Sequence, residues 1–302
     1  MTDQPPSADE SASADGSPPT DGSGSADGSG PQVPSLWDVA DAVADRLADA
    51  DGLLLCLDFD GTLAPIVPRP EEAAIPATTR KRVRALDALD GVRIAVVSGR
   101  ALTDVRERVG LDGLVYAGNH GLELERDGDL TVHPLASAAR PAIRRACRDI
   151  HARLGTIPGC RVEDKGVTAT VHYRDAADAA IPAIEEVVSA VAADESLRVT
   201  DGKAVFEIRP RIPWGKGRIV SLLADEVGEG WLAIYVGDDT SDEDAFRVLA
   251  DDGIGVVVGS PPETAAAARL GDPDDVATFL GWLTARWADR PPEAIAAEGK
   301  RP

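Results

Sequence analysis

Lysine, cysteine and long apolar runs are all scarce in this sequence of 302 residues, and each shortage excludes a class of protein. Only five lysines occur, and acidic residues outnumber basic ones 52 to 31, which gives a formal charge of -21. So acidic a chain does not bind nucleic acid or anionic membranes through bulk electrostatics. No apolar stretch approaches the ~20 residues that a membrane-spanning helix needs. The composition favours a halophilic-type protein, because high salt screens its self-repulsion.

The few cysteines argue against a disulfide framework. Cys56, Cys147 and Cys160 are odd in number and lack the spacing of metal ligands, which is typical of a reducing compartment. The N-terminus has no charged segment followed by an apolar one, so we expect no secretory signal. These features predict a cytoplasmic protein.

Periodicity divides the chain into an α/β core, an insertion and two tails. Residues 1–34 are acidic and rich in Gly, Ser and Pro and are expected to be disordered, and residues 291–302 are expected to be flexible. Apolar strands alternate with helices over residues 35–120 and 212–290, which predicts a Rossmann-like, doubly wound parallel sheet. Residues 121–211 alternate hairpin signals with helices, which predicts an inserted α+β cap over the substrate.

The most informative segment is residues 53–62, where five apolar residues run into Asp-Phe-Asp-Gly-Thr. Such an apolar run is typical of a strand buried on both faces. In parallel sheets, chemistry takes place beyond the carboxyl ends of the strands. Other core strands also end in polar residues, and a Trp-Gly-Lys-Gly segment follows the insertion. The following side chains are therefore expected at one sheet edge: Asp58, Asp60, Ser98, Lys216, Asp238, Asp239 and Asp242.

This set of side chains suits phosphoryl transfer. A carboxylate nucleophile needs positive charge nearby to approach a phosphate dianion. Carboxylates can hold Mg²⁺, which prefers hard oxygen ligands. Lys216 and Ser98 can bind the remaining phosphate oxygens, and Asp60 can protonate the leaving alkoxide and then deprotonate the attacking water.

Two positions keep an alternative interpretation. The spacing of Thr240 and Glu243 matches a capping box, so Asp242 belongs either to a metal site or to a helix N-terminus. His120 belongs either to a cleft or to an ordinary loop. The other histidines lack the spacing of ligands and are expected to be structural.

The motifs Asp58-Phe-Asp-Gly-Thr62, Ser98, Lys216 and Gly237-Asp-Asp-Thr-Ser-Asp242 resemble, in this order, those of the haloacid-dehalogenase-like phosphatases. The resemblance implies that Asp58 is the nucleophile and Asp60 the acid/base. It also implies a C2-type cap and a Mg²⁺ ion at Asp58, the Asp60 carbonyl and Asp238, and Asp239 and Asp242 are further candidate metal ligands.

From about residue 36 to residue 288, longer segments resemble the trehalose-6-phosphate phosphatase family, among them Gly118-Asn-His-Gly121, Val162-Glu-Asp-Lys165 and Phe206-Glu-Ile-Arg-Pro210. Asn119 departs from the family, where Ser or Glu is more familiar. The resemblance implies hydrolysis of trehalose 6-phosphate to trehalose and phosphate, with trehalose-6-phosphate synthase as a partner. It also implies a set of substrate-binding residues: Arg100, His120, Glu163, Lys165, Arg174, Lys203 and Glu207.

The cap residues of this set also have a physical interpretation, because a disaccharide offers many hydroxyls for carboxylates and long donors. Glu163 and Lys165 are two apart on one predicted strand, and Lys203 and Glu207 are four apart on another, so each pair shares a face. Three alternatives remain: a phosphatase for sucrose 6-phosphate or mannosyl-3-phosphoglycerate, a catalytically silent sensor, and a phosphomutase.

Overall fold

The structure is a computed structural model that describes residues 33–290. The predicted flexible C-terminus and all but the last two residues of the predicted disordered tail lie outside the described residues. The strands are β1 (Gly52–Leu57), β2 (Val92–Val97), β3 (Val115–Gly118), β4 (Glu123–Arg126), β5 (Asp129–Val132), β6 (Arg161–Asp164), β7 (Ala169–His172), β8 (Leu197–Gly202), β9 (Val205–Pro210), β10 (Trp231–Gly237), β11 (Ile254–Val258) and β12 (Ala268–Leu270). The α-helices are α1 (Ala40–Asp49), α2 (Ala77–Asp87), α3 (Leu102–Val109), α4 (Pro134–Leu154), α5 (Ile181–Asp194), α6 (Lys216–Val227), α7 (Glu243–Val248) and α8 (Pro273–Ala288).

The core is an eight-stranded sheet in the order β12-β11-β10-β1-β2-β3-β4-β5. The six strands from β12 to β3 are parallel, and helices cover both faces, which confirms the predicted doubly wound α/β fold. In the central strand β1, Leu53, Leu55 and Leu57 pack with α1, α2 and α8, while Leu54 and Cys56 pack with α6 and α7. This two-sided burial explains why β1 reads as an unbroken apolar run.

A second, antiparallel sheet has the order β6-β7-β9-β8. Its apolar face packs on α4 and α5 in a cluster that includes Ile143, Val171, Val188 and Ile208. On the opposite face, the strand register aligns Glu163, Thr170 and Glu207 across three neighbouring strands. Alternation along each strand therefore gives this sheet one apolar face and one polar face.

The hairpin β4–β5 lies in the core sheet, so its assignment to the cap was wrong. The chain reverses at Asn119–Gly121, directly after β3, and β4 then pairs antiparallel with β3. Because the reversal is so tight, the next strand pairs with the strand that precedes the turn. The insertion that carries the second sheet therefore begins later, at α4.

Among the helices of residues 33–290, none has both the length and the hydropathy that crossing a membrane requires.

Candidate active site

The carboxyl ends of β1, β2 and β10 meet at one edge of the core sheet. β1 pairs in parallel with both other strands, so Leu57 lies opposite Val96 and Val236. Asp58, Ser98 and Asp238, which come one or two residues later, therefore converge, as the sequence predicts.

A glycine allows the segment after Asp60 to approach Asp238 closely. Gly61 has φ +80°, and a Cβ atom there would lie 2.2 Å from the Asp238 carboxylate. A side chain at this position would displace Asp238 and strain the backbone.

Lys216 joins two buried aspartates at the floor of the site. Its Nζ lies 2.8 Å from Oδ1 of Asp58 and 2.7 Å from Oδ1 of Asp242. The three residues are only 3%, 4% and 0% exposed, respectively. Tyr235 donates its hydroxyl to the same Asp242 oxygen at 2.5 Å. Asp242 thus anchors Lys216 beside Asp58, a role that sequence spacing does not indicate.

Burial and charge act in opposite directions on these groups. Burial raises the pKa of Asp58, and the Asp242 and Asp238 carboxylates raise it further, although Lys216 opposes them. Burial alone would lower the pKa of Lys216, but Asp242 and Asp58 raise it above the ordinary lysine range. Lys216 is therefore a permanent positive charge next to Asp58.

Three carboxylates at this edge could hold a metal ion. Single oxygen atoms of Asp58, Asp238 and Asp242 lie within 4.8 Å of one another. Burial raises the pKa of Asp238 despite its contact with Lys203. A cation among these oxygens would offset the mutual repulsion of the carboxylates, so the donor set fits a hard divalent ion.

Asp60 lies above this floor in a bidentate ion pair with Arg100. Both carboxylate oxygens accept from the guanidinium at 2.7 Å. The other donors of Arg100 reach Asp104 at 2.8 Å and the Pro70 carbonyl at 2.9 Å. Burial would lower the pKa of Arg100, but Asp60 and Asp104 raise it. Arg100, predicted to bind substrate, thus contacts the predicted acid/base directly.

The polar face of the second sheet forms the opposite wall of the cleft. His172 Nε2 lies 2.7 Å from Oε2 of Glu163, and this hydrogen bond is the main cause that lowers the pKa of Glu163. His120, from the core, lies 3.0 Å from Oε2 of Glu207. Burial would raise the pKa of Glu207, but His120 lowers it. Burial lowers the pKa of His120, which favours a neutral ring that donates Nε2–H to the carboxylate.

Lys203 lies in the turn between β8 and β9, so its predicted place on a strand with Glu207 was wrong. From this turn its Nζ contacts Oδ2 of Asp238 at 2.8 Å, and its carbonyl accepts from Arg174 at 3.2 Å. Lys165 follows β6, so its predicted place on one strand with Glu163 was also wrong. Its Nζ donates to the Gly99 carbonyl at 3.1 Å. These two lysines therefore add to the contact that His120 and Glu207 make between the core and the second sheet.

The capping box lies one residue earlier than the sequence predicted. Asp239 accepts from the Thr240 amide at 2.7 Å, while Asp242 accepts from the Asp239 amide at 2.8 Å. Asp242 thus both caps the turn and touches the floor of the site, so the two interpretations of its role are compatible.

One cleft brings together nearly all the predicted site residues. Those that line it are Asp58, Asp60, Ser98, Arg100, His120, Glu163, Lys165, Arg174, Lys203, Glu207, Lys216, Asp238 and Asp239. Asp242 lies beneath Lys216.

Sequence reasoning missed Tyr235, Asp104 and His172, which act through neighbouring side chains. A tyrosine inside a buried strand needs a hydrogen-bond partner for its hydroxyl, so the sequence could have indicated that Tyr235 contacts a polar group.

Comparisons with known proteins show the family of this chain. A family model described as trehalose-phosphatase matches residues 56–273, well over half of the chain. This chain belongs to the trehalose-phosphatase family. It is 41% identical over 239 residues to the trehalose-phosphate phosphatase of Mycobacterium marinum, which covers 76% of this chain and 60% of the relative. For the trehalose-phosphate phosphatase of Mycobacterium tuberculosis the identity is 38% over 256 residues, which cover 80% of this chain and 65% of the relative. The chain thus spans less than two thirds of either relative's length.

Solved structures share the fold. The C-terminal domain of Candida albicans trehalose-6-phosphate phosphatase superposes with a TM-score of 0.70 at 24% identity, covering 84% of this chain and 98% of that one. A haloacid-dehalogenase-like hydrolase from Bacteroides thetaiotaomicron superposes with a TM-score of 0.56 at 16% identity. The match covers 77% of this chain and 99% of that one. The fold is therefore that of the haloacid-dehalogenase-like hydrolases.

Proposed function

We propose that this protein is a phosphatase that hydrolyses trehalose 6-phosphate to trehalose and phosphate. The observation that carries the proposal is the pairing of a buried carboxylate, Asp58, with a permanent cation, Lys216, 2.8 Å away at the floor of the cleft. The names of the relatives support the choice of sugar.

In the proposed reaction an Asp58 carboxylate oxygen attacks phosphorus, and the bond between phosphorus and the sugar oxygen breaks. Asp60 gives its proton to the departing sugar alkoxide, which leaves an aspartyl-phosphate on Asp58. Asp60 then takes a proton from water as the water attacks the same phosphorus, and phosphate leaves with Asp58 regenerated. Lys216 and the Ser98 hydroxyl bind the phosphoryl oxygens throughout.

We propose Mg²⁺ as the metal, held by the Asp58 and Asp238 carboxylates and the Asp60 backbone carbonyl. Such an ion supplies electrostatic stabilisation for the charge on the phosphoryl group. Asp239 caps a turn and Asp242 accepts from Lys216, Tyr235 and a backbone amide. We therefore assign Asp239 and Asp242 to holding the site in shape rather than to direct ligation.

We propose that the sheet β6–β9 with α4 and α5 forms a cap that closes over the sugar, and that the segments before α4 and after β9 form the core domain. Glu163, Lys165, Arg174, Lys203 and Glu207 all face the core across the cleft. Closure would exclude water and bring these donors and acceptors onto the sugar hydroxyls. In this assignment Arg100 orients Asp60, and His120 faces the sugar.

We place the enzyme in the cytoplasm, since the three cysteines are free within residues 33–290, and propose that a trehalose-6-phosphate synthase supplies its substrate.

The test is phosphate release by the purified chain from a panel of sugar phosphates, with and without Mg²⁺. We expect trehalose 6-phosphate to give the highest kcat/KM, well above sucrose 6-phosphate, mannosyl-3-phosphoglycerate and glucose 6-phosphate. A higher kcat/KM for another sugar phosphate would show that trehalose 6-phosphate is not the preferred substrate. Release of no phosphate would favour a sensor, and an isomerised sugar phosphate would favour a mutase.

A further inference from the structure

The residue that follows β3, Asn119, is the only asparagine in the chain. It is fully buried, with φ +51°, in the left-handed region that asparagine tolerates better than other non-glycine residues. The next two residues, His120 and Gly121, also have positive φ, of 57° and 86°. Three consecutive left-handed residues are a costly conformation that the surroundings must hold in place.

The core holds this turn by its backbone. The Asn119 amide donates to the Arg100 carbonyl at 2.7 Å, and the His120 amide donates to the Ser98 carbonyl at 2.8 Å. The turn is therefore fastened to the loop that carries the predicted phosphate-binding serine.

The side chain of Asn119 connects the core to the second sheet. Its Nδ2 donates to Oε2 of Glu123 at 2.7 Å and to the Lys165 carbonyl at 3.3 Å. Its Oδ1 accepts from the Thr168 hydroxyl at 2.5 Å. A carboxylate only accepts, so Glu123 fixes the orientation of the amide and leaves its oxygen for Thr168. Both ends of the amide are thus committed: Nδ2 contacts the core and the turn between β6 and β7, and Oδ1 contacts that turn.

This turn carries a cleft residue. Lys165 precedes Thr168 by three positions, and its amide donates to the Thr168 carbonyl at 3.0 Å. Next to Asn119 in the chain, His120 contacts Glu207 on β9. Asn119 therefore lies between two residues that face the proposed sugar position, and it does not itself line the cleft.

We propose that Asn119 is a positioning residue for sugar recognition, which holds Lys165 and His120 in register across the two sheets through the relay Glu123–Asn119–Thr168. The proposal rests on the proposed phosphatase function and deepens it. The backbone hydrogen bonds from Asn119 and His120 to Arg100 and Ser98 do not involve the side-chain amide. Loss of the amide alone should therefore weaken recognition of the sugar without weakening phosphoryl transfer.

The test compares Asn119→Gly, which retains the left-handed backbone but removes the amide, with Thr168→Val, which removes the hydroxyl at similar volume. Each is assayed with trehalose 6-phosphate and with p-nitrophenyl phosphate, which has no sugar. For Asn119→Gly we expect KM for the sugar phosphate to rise about tenfold, with kcat within about twofold. For p-nitrophenyl phosphate we expect kcat/KM to stay within about twofold of the wild type.

Two further measurements separate positioning from a structural role. The double variant should be no worse than Asn119→Gly, because both changes break one relay. Amide hydrogen exchange of residues 161–170 should speed up in Asn119→Gly, while residues 52–57 stay protected. Thr284→Val, which removes a hydroxyl bonded to the Leu280 carbonyl in α8, is the matched control and should change neither KM nor exchange in residues 161–170.

An unchanged KM, or an equal loss with both substrates, would overturn the proposal. Failure of the proposed function would instead appear in the wild-type protein, which would not release phosphate from trehalose 6-phosphate. The comparison would then use the best sugar phosphate of the panel. Hydrogen exchange needs no substrate, so unchanged exchange in residues 161–170 would overturn the proposal in either case.

Discussion

The floor of the core wall differs from the outer part of the sheet wall in how far its charged groups are removed from water. Asp60 on the core wall and Glu207 on the sheet wall depart from this division, with side chains 37% and 20% exposed. On the core wall, the side chains of Asp58 and Lys216 are 6% and 3% exposed. On the wall formed by the second sheet, Glu163 is 36% exposed and Lys203 is 52% exposed. Electrostatic interactions strengthen as water is excluded, so the core wall is ready for chemistry before substrate arrives. The sheet wall gains its full strength only when a ligand displaces its water.

The difference teaches how one fold can combine a fixed reaction with a variable substrate. The buried groups lie directly after β1 and at the start of α6, where backbone geometry fixes them next to the reacting phosphate. The exposed groups lie on a separate sheet with its own apolar core, so they can vary while the chemistry is kept. Substitutions on the core wall should therefore affect all substrates, and substitutions on the sheet wall should affect the sugar alone.

The largest expected effect is at Asp58. Asp58→Asn should lower phosphate release from any substrate by at least about 10⁴-fold, since an amide oxygen is a poor nucleophile. The melting temperature should not fall, because the substitution removes a buried carboxylate whose pKa burial raises. Assays with both trehalose 6-phosphate and p-nitrophenyl phosphate check this, with exposed Asp45→Asn as the control. Substantial residual turnover with either substrate would rule out the aspartyl-phosphate.

Lys216→Met should impair both stability and activity. Without the ammonium, Asp58 and Asp242 remain buried without a counter-charge, which should cost about 3 kcal/mol of unfolding free energy. Loss of its contact with phosphate should lower kcat by about 10³-fold for both substrates. Denaturant unfolding and kinetics measure the two effects, with exposed Lys81→Met as the matched control. If the Lys216→Met and Lys81→Met variants had equal unfolding free energies, groups other than Lys216 would have to stabilise the buried Asp58 and Asp242 carboxylates.

Glu163→Gln tests the sheet wall. We expect KM for trehalose 6-phosphate to rise about tenfold, because a neutral amide binds sugar hydroxyls less strongly than a carboxylate does. Hydrolysis of p-nitrophenyl phosphate should not change. Glu185→Gln, at an exposed position on α5, provides the control. An equal loss of kcat/KM with both substrates would contradict the proposal that the two walls have different roles.

The smallest expected effect is the pH dependence of the contact between the walls. His120 lowers the pKa of Glu207, so the folded state favours the ionised carboxylate. The resulting stability is complete above the ordinary glutamate pKa of about 4.3 and is lost as the pH falls toward the lower folded-state value. The difference in melting temperature between the wild type and Glu207→Gln should thus be present at neutral pH and shrink below that range. If the difference in melting temperature grew as the pH fell, folding would raise the pKa of Glu207 instead of lowering it.

Much of the fold was predictable because its signals are local. The unbroken apolar run of β1 and the alternation of strands with helices follow from burial on two faces and led to the right fold class. The hairpin β4–β5 was misplaced because a hairpin signal does not say which sheet it joins. That was decided by the reversal at Asn119–Gly121, a backbone conformation with no distinctive pattern in the sequence.

At the site, the residues that follow strands were predictable, since parallel strands bring their carboxyl ends together. The partners of those residues were not. The bidentate pair of Arg100 with Asp60, and the hydroxyl that Tyr235 donates to Asp242, join residues from separate segments of the chain and depend on packing.

The fold class and the phosphoryl-transfer motif were encoded locally, because strand burial and the position of Asp58 after an apolar run are properties of contiguous residues. Packing was needed to show that Asp242 anchors Lys216, that Lys203 reaches Asp238 from a turn, and that Asn119 connects the two sheets. These contacts join residues that are distant in the chain, and their geometry is set by how the two sheets pack, which no local pattern encodes.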